Sequence, residues 1–257
     1  EDTQASPSAV MLPKGLRGAL PLAALLALVG GLALLSRPAE IMQGVELKTL
    51  DWRFRHLSVA ERHDKRIVLV MVDQGSLDYY EDQGMYWPWP RGIYEGVLRF
   101  LKAGGAKVVV FDMLFTNPSP TGAAEDTTFG KALKDFGPAV MAMSTSPNAH
   151  PLRATPPPAR FAVNAGLVLE ASALPHLAAR VPVPELMAGA RMLGDTYGDA
   201  DLDGVFRRVP LLTEMGGRLY PTLPAAAAML ATGRTLEELR PRLTAGRMLV
   251  RYHGESL

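Results

Sequence analysis

A run of 18 residues without a charge places the strongest constraint on what this chain can fold into. The run, GALPLAALLALVGGLALL, occupies residues 18–35, with Arg17 before it and Arg37 shortly after it. As a helix it would be about 27 Å long, close to the roughly 30 Å hydrocarbon core of a bilayer. A buried core helix and the apolar core of a signal peptide are alternatives, although ALLSRPAE offers only a poor cleavage site. The run predicts a transmembrane helix over residues 18–36, preceded by an N-terminal tail over residues 1–17.

The charges around this run leave the topology open. Basic residues lie on both sides, with Lys14 and Arg17 before it and Arg37, Lys48, Arg53 and Arg55 after it. The positive-inside rule therefore does not favour export of the C-terminal side, but long domains cross the membrane largely regardless of charge.

Composition limits the remaining classes of function. The chain has 257 residues, of which 48% are hydrophobic, so a sizeable core is expected. A net charge of +1 gives no electrostatic footprint for nucleic acid. The absence of cysteine excludes disulfides, thiolate zinc sites and a cysteine nucleophile. Because the sequence begins at Glu1 and ends in RYHGESL without a closing signal, we expect it to be a fragment.

Residues 66–115 carry a strand–helix–strand pattern. RIVLVMVD (66–73) and AKVVVFDMLF (106–115) are apolar and rich in β-branched residues, as strands buried on both faces are. PRGIYEGVLRFLKAGG (90–105) has helical periodicity between them. The order predicts a right-handed parallel βαβ unit. The predicted inner face of its helix comprises Ile93, Val97, Phe100, Leu101 and Gly104.

The rest of the chain adds helices, strands and one long loop. The patterns predict helices over 41–57, 125–136 and 222–233, strands over 138–144 and 245–254, a Pro-rich loop over 144–160 and a β-hairpin over 204–223. The fold class is therefore α/β: a mainly parallel sheet flanked by helices, with an antiparallel hairpin toward the C-terminus, in a domain over residues 37–257.

Three carboxylates are candidates for chemistry at one edge of this sheet. Asp73 and Asp112 end the two strands of the βαβ unit, and ligands of open parallel sheets bind at that edge. Asp126 begins the following helix and is within reach of the same edge. Together they would suit a hard cation or a polar ligand. The simpler alternative is that each carboxylate caps a loop or pairs with Arg91.

Other acidic and histidine residues give no catalytic pattern. DADLDG (199–204) resembles part of a calcium loop, but Pro210 stands where such a loop needs Glu, so a turn is predicted. The five histidines show no ligand spacing, and no nucleophile elbow, phosphate loop or zinc motif is present. We expect no catalytic residue, metal or cofactor in these residues.

The segment WPWPR, residues 87–91, holds two of the three tryptophans. Pro88 and Pro90 favour an extended backbone, which would direct Trp87 and Trp89 to opposite sides. Arg91 would then pair with Asp73 or Asp112. Two interpretations remain open, a structural latch and the lip of a ligand site.

Five segments in this order resemble the type-two CHASE domain, an extracytoplasmic sensor of bacterial signalling receptors. They are LKTLDWRFR (47–55), RIVLVMVDQGSL (66–77), WPWPRGIYEGVLRFLKAGGAKVVVFDMLF (87–115), EDTTFGKAL (125–133) and GDADLDGVFRRVPLLTEMGGRLYPTLPAAAA (198–228). The W-P-W-P-R and D-x-D-G-V-x-R-R blocks are specific in combination. The resemblance covers roughly residues 37–257, whereas YYEDQGMY, the Pro-rich loop and residues 160–190 match no motif.

The resemblance implies a receptor in the bacterial inner membrane. The tail would be cytoplasmic and the sensor periplasmic, which settles the orientation that charge leaves open. The fragment would be single-pass, and the full-length protein multi-pass with a cytoplasmic output. Family habit favours an adenylate or guanylate cyclase, then a histidine kinase, so the full-length protein would be an enzyme. A symmetric homodimer and a small-molecule or protein signal are expected.

These considerations give one hypothesis for the site and two rival functions. The hypothesised signal site comprises Asp73, Trp87, Trp89, Arg91, Asp112 and Asp126. The rivals are a metal-dependent extracytoplasmic hydrolase that uses Asp73 and Asp112, and a structural dimerisation module without a ligand.

Overall fold

The architecture comes from a computed structural model of the chain. It describes residues 21, 24–32, 38–57, 65–164, 174–201, 203–207, 210–236, 238–239, 243–244 and 247–248. The chain divides into two compact units, Glu1–Glu61 and Arg62–Leu257, which are described separately below.

The first unit is helical wherever it is described. Helix α1 spans Pro38–Leu57, which confirms the helix predicted over residues 41–57. Residues 24–32 are also helical. Much of the predicted transmembrane segment, residues 18–36, lies outside the described part of the chain. Among the residues that the structure does describe, no helix combines the length and apolarity needed to cross a bilayer.

The second unit alternates helices with short strands. Its helices are α2 (Gln74–Glu81), α3 (Gly92–Ala103), α4 (Ala123–Phe136), α5 (Pro184–Gly189) and α6 (Leu223–Thr232). Its strands are β1 (Val109–Phe111), β2 (Ala139–Ser146), β3 (Leu174–Pro175), β4 (Ala178–Arg180), β5 (Met192–Asp195), β6 (Leu212–Met215), β7 (Arg218–Pro221), β8 (Leu243–Thr244) and β9 (Arg247–Met248). The Pro-rich loop is irregular as predicted, apart from 3₁₀ turns at Pro151–Arg153 and Ala159–Phe161.

Strand β2 organises the main sheet. It pairs in parallel with β1, Val140 opposite Val110, and with β5, Met141 opposite Leu193. Its last residues pair antiparallel with β4. A second sheet joins β3 in parallel to β6, which forms an antiparallel hairpin with β7. The predicted mixture of parallel strands and a C-terminal hairpin is therefore present, but the parallel part is smaller than predicted.

Both faces of β2 are covered by helices. One set of core residues on β2 includes Met141 and Met143, which pack with residues of α3, α4 and α5. Val140 and Ala142 pack instead with Leu223 and Ala226 of α6. Because successive side chains point to opposite faces of a strand, a strand with two buried faces needs an unbroken apolar sequence. The predicted strand over residues 138–144 is confirmed, and it is buried on both faces.

Two glycines allow α4 and α5 to touch through their backbones. A Cβ atom added to Gly130 would lie 2.3 Å from the carbonyl oxygen of Glu185, and one added to Gly189 would lie 2.0 Å from that of Gly130. Neither space admits a side chain. The crossing brings the short α5 close to the main sheet, beside β5.

The predicted strand over residues 66–73 is wrong. Residues 67–72 form neither strand nor helix, and Leu69 is 80% exposed. They make no backbone hydrogen bond to another described residue. An apolar, β-branched run becomes a strand only where a neighbour completes its hydrogen bonds, and here β1 pairs with β2 instead. The parallel strand–helix–strand unit is thus β1, α4 and β2.

The helix predicted over residues 90–105 buries a different face from the one that was predicted. Helix α3 confirms the helix itself, but its buried residues are Tyr94 and Leu98, while Phe100 is 77% exposed. The Tyr94 ring lies 5.1 Å from that of Phe115 and 5.3 Å from that of Phe129. Burial among these rings raises the pKa of Tyr94 to about 12. Aromatic packing therefore decides which face of the helix turns inward.

Among the remaining elements, the longer ones were predicted and the shortest ones were not. Helix α4, the hairpin with its Gly216–Gly217 turn, and helix α6 with Gly233 as its left-handed C-cap confirm the pattern-based predictions. The elements β3, β4, α5 and β5 are two to six residues long and were not predicted. Most of the predicted strand over 245–254 lies outside the described residues.

Candidate functional site at the carboxyl edge of the sheet

The parallel strands β1, β2 and β5 end at one edge of the main sheet. Asp112 follows β1, Thr145 lies near the end of β2, and Asp195 is the last residue of β5. The carboxyl ends of parallel strands form the usual ligand edge of an open α/β sheet. Two polar clusters are buried in this part of the second unit.

The first cluster, here the Arg91 cluster, joins Arg91, Asn117, Ser119, Glu125 and Asp126. Arg91 Nε lies 3.1 Å from Asp126 Oδ1, and both side chains are almost completely buried. Arg91 Nη2 donates to the carbonyl oxygen of Asn117 at 2.7 Å. The guanidinium lies over the Phe115 ring, 4.4 Å from its centroid. These contacts neutralise and orient a cation that would otherwise be costly to bury.

Backbone and hydroxyl donors complete the acidic side of the Arg91 cluster. Ser119 N donates to Asp126 Oδ2 at 2.8 Å. Glu125 Oε2 accepts from Arg91 N at 2.8 Å, from Ser119 Oγ at 3.0 Å and from the Thr121 hydroxyl. The Thr121 hydrogen bond is the main reason why the pKa of Glu125 is lowered. The cluster holds the start of α3 against the loop before α4, which is the behaviour of a structural latch.

The two tryptophans of WPWPR divide between the interior and the surface. Trp89 is buried, with its ring 4.6 Å from that of Tyr80 and 5.3 Å from that of Trp87. Trp87 is half exposed. The rings contact each other edge to face, so the prediction that they point to opposite sides is wrong. Trp89 therefore packs in the interior, whereas Trp87 is available at the surface.

The two other predicted acidic residues do not join Arg91. Asp73 caps α2, where its Oδ1 accepts from Ser76 N at 2.9 Å and Ser76 Oγ at 2.7 Å. The hydrogen bond from the Ser76 side chain is the largest cause of the lowered pKa of Asp73. Asp112 is exposed after β1. The predicted pairing of Arg91 with Asp73 or Asp112 is wrong, since the partner is Asp126.

Neither acidic motif forms a metal site in the described part of the chain. No group of three or more His, Cys, Asp or Glu side chains converges there to hold an ion. In DADLDG, Asp203 accepts two hydrogen bonds from Arg207, at 2.7 and 2.8 Å, and Asp201 accepts one at 3.2 Å. Arg207 thus stabilises the turn that was predicted there.

The second cluster, here the His176 cluster, joins Thr145, His176, Asp195 and Tyr197 and was not predicted. Thr145 Oγ1 donates to Asp195 Oδ2 and is hydrogen-bonded to His176 Nδ1. Asp195 Oδ1 accepts from Thr145 N at 3.0 Å and from Tyr197 N at 3.2 Å. Thr145, His176 and Asp195 are all buried. The Asp195 carboxylate at the end of β5 therefore binds Thr145 near the end of β2, and Thr145 in turn binds His176.

The hydrogen bonds assign the tautomer of His176. Because the Thr145 hydroxyl gives its proton to Asp195, its oxygen must accept from His176 Nδ1–H. His176 Nδ1 therefore carries a proton, and in the neutral ring this is the Nδ1–H tautomer. Its Nε2 atom is buried and has no hydrogen-bond partner in the described structure.

The surroundings of His176 favour the neutral form. Burial lowers the pKa of His176, and the opposing effect of the Asp195 charge is smaller. The Tyr197 ring lies edge to face with the imidazole at 4.4 Å. Burial and the nearby Asp199 and Asp195 carboxylates raise the pKa of Tyr197. The cluster thus contains one group, the imidazole, whose charge can change near neutral pH.

The second unit is an α/β domain with buried polar groups where its parallel strands end, the edge at which ligands of open α/β sheets commonly bind. The family model of the CHASE2 domain matches residues 23–256, which is nearly the whole chain. The chain belongs to the CHASE2 family, whose members are extracytoplasmic sensor domains of membrane receptors, and it therefore has a sensory role. Neither the search of curated proteins nor that of solved structures found a match.

Proposed function

We propose that this chain is the periplasmic sensory part of a bacterial inner-membrane receptor with a cytoplasmic output. Membership of the CHASE2 family over residues 23–256 is the observation that carries this proposal. The favoured output is an adenylate or guanylate cyclase, followed by a histidine kinase. The signal would shift the population of two domain arrangements in a homodimer, and transmembrane helices would transmit the shift.

The exposed side chains of the hypothesised site are proposed as signal contacts. Trp87 offers a half-exposed aromatic face, and Asp112 offers an exposed carboxylate at the end of β1. Arg91, Trp89 and Asp126 are buried and would position them. Asp73 is assigned to capping α2.

A thermal-shift panel on the purified chain tests the binding of a signal. The probes are the common amino acids, dicarboxylates and monosaccharides. We expect at least one probe to raise the Tm of the wild type but not that of Trp87→Ala. Lys131→Ala, an exposed change on α4, is the matched control and should keep the response. A probe that stabilises Trp87→Ala as much as wild type would remove Trp87 from the site, and a panel without any hit would favour a structural module.

The output is tested by reading the gene beyond the codon for Leu257. Hydrophobic segments followed by a cyclase or kinase sequence are expected. Any other continuation would contradict the proposed output while leaving the family membership intact.

A further inference from the structure

His176 occupies a short link between the two sheets of the second unit. It follows β3 and precedes β4, which belong to different sheets. His176 N donates to the carbonyl oxygen of Glu214 on β6 at 2.7 Å. The next residue, Leu177, donates its N–H to the carbonyl oxygen of Ser146 on β2 at 2.9 Å. Two consecutive residues, His176 and Leu177, are therefore hydrogen-bonded through their backbones to different sheets.

The side chain of His176 adds a third attachment, which depends on its protonation state. In the neutral tautomer, Nδ1–H donates to Thr145 Oγ1, and Thr145 in turn donates to Asp195. Both Asp195 oxygens already accept from other donors, and Nε2 has no partner. The neutral ring thus makes one good hydrogen bond and leaves one buried acceptor unused.

Protonation of His176 would destabilise this arrangement of hydrogen bonds. A proton taken from solvent onto Nε2 creates a buried, charged N–H without an acceptor, which is far costlier than an unused lone pair. Asp195 is the nearest opposite charge, with Oδ2 3.9 Å from His176 Nδ1, but Thr145 lies between them. The other charged or titratable groups on the elements joined to this link are Tyr197, Asp199, Glu214 and Arg180.

None of these other groups offers an acceptor that is seen to bind Nε2. Tyr197 presents its ring to the imidazole. The Glu214 carboxylate accepts from Gly217 N at 2.8 Å, and Arg180 is exposed and cationic. The Asp199 carboxylate is exposed, so within the described residues the charged imidazole gains an acceptor when the ring moves toward water or displaces Thr145 from Asp195. Either movement breaks the attachment between the link and β2.

We infer that the ligand read by this part of the domain is the proton, and that protonation of His176 releases the link over residues 175–178 and loosens the junction between the two sheets. This inference rests on the proposed sensory function and gives it a signal class. The domain would be closed near neutral pH and would shift toward the loosened arrangement in acid.

The first test needs no variant. The imidazole nitrogens of isotope-labelled wild-type chain are followed by NMR from about pH 8 to about pH 4.5, which brackets the ordinary range for histidine. We expect one imidazole to remain the neutral Nδ1–H tautomer at pH 7 and to have a lower pKa than the others. Its absence from the spectrum of His176→Gln assigns it. A His176 imidazole that titrates with or above the exposed histidines would overturn the inference.

The second test measures what protonation does to the junction. Hydrogen exchange of residues 174–180 and 144–146 is compared above and below the measured His176 pKa, corrected for the intrinsic pH dependence of exchange. We expect faster exchange below that pKa, by about tenfold for each unit by which the His176 pKa is lower in the closed than in the loosened arrangement. His176→Gln should remove the acceleration. His150→Gln, a change to a half-buried histidine in the Pro-rich loop, is the matched control and should keep it.

The results separate this inference from the function it rests on. Equal acceleration in His176→Gln and wild type, or none in wild type, would overturn proton sensing by His176. A small-molecule hit in the thermal-shift panel would still support the sensory function in that case. A normal His176 response with no panel hit would instead favour the proton over a small-molecule signal.

Discussion

The Arg91 cluster and the His176 cluster are both buried in the same unit, but they balance charge in different ways. Arg91 is always cationic, and Asp126, Asn117 and Phe115 surround it with compensating contacts. Burial favours the neutral form of His176, and its Nε2 atom has no hydrogen-bond partner among the described residues. The opposite charges of Arg91 and Asp126 offset each other, so this ion pair holds the chain in one arrangement. An incompletely bonded imidazole makes its surroundings depend on pH.

The largest expected effect comes from removing the acid that compensates Arg91. Asp126→Ala leaves a buried guanidinium without its opposite charge, so the free energy of unfolding should fall by about 3–5 kcal/mol. Urea denaturation measures it. Asp135→Ala, an exposed change near the end of the same helix, should cost less than about 0.5 kcal/mol. A loss below about 1 kcal/mol for Asp126→Ala would show that Arg91 finds other partners and that the latch is weak.

Removing the hydroxyl that bridges the His176 cluster should have a smaller effect. Thr145→Val keeps the shape of the side chain but deprives Asp195 of a donor and His176 of an acceptor. We expect a loss of about 1–3 kcal/mol, the usual cost of unsatisfied buried polar atoms. Thr145→Ser retains the hydroxyl and should lose less than about 1.5 kcal/mol, through its missing methyl group alone. A smaller loss for Thr145→Val than for Thr145→Ser would mean that the methyl group, and not the bridge, matters.

The pH dependence of stability should distinguish the two clusters. The folded-state pKa of His176 is lowered, so the unfolded chain binds more protons below about pH 6.5. Stability is therefore present above that pH and is lost as the pH falls toward the folded pKa, by at most about 1.4 kcal/mol per pH unit. Urea titrations at several pH values should show a shallower loss for His176→Gln. Identical slopes would place the acid sensitivity elsewhere.

The smallest expected effect concerns the edge of the Arg91 cluster. The Thr121 hydrogen bond is the largest cause of the lowered pKa of Glu125, so Thr121→Ala should raise that pKa toward the ordinary value for a glutamate. A carboxyl group whose pKa is lowered by folding stabilises the protein at pH values above its unfolded-state pKa. This stabilisation is lost as the pH falls toward the folded-state pKa. The loss near neutral pH should be less than about 1 kcal/mol. NMR titration of Glu125 tests it, and an unchanged pKa would assign the shift to Arg91 N and Ser119 instead.

The sequence predicted the elements whose pattern is long enough to repeat. Helix α4 shows helical periodicity over 14 residues, and β2 begins with an unbroken apolar run over residues 139–143. Strand β5 has only four residues, too few for a period to appear. Residues 67–72 have the composition of a strand, but composition does not state whether a neighbouring strand is available.

The candidate site was predicted only in part, because its contacts join distant positions. The sequence placed Arg91 beside an Asp, but Asp126 was chosen over Asp73 and Asp112 by the fold of the loop before α4. His176 lies 31 residues from Thr145, which is 50 residues from Asp195. No spacing rule covers three such positions on separate strands and a link. A lone histidine in an irregular segment gives no signal until its neighbours are known.

The exposed run over residues 67–72 has a consequence for the handling of the protein. Six consecutive apolar residues with high β-propensity, no proline and no charge have the composition of segments that nucleate aggregation. Lys65 and Arg66 before the run and Asp73 after it are charged gatekeepers of the kind that limit such association. We therefore expect the colloidal stability of a concentrated preparation to depend on these three side chains.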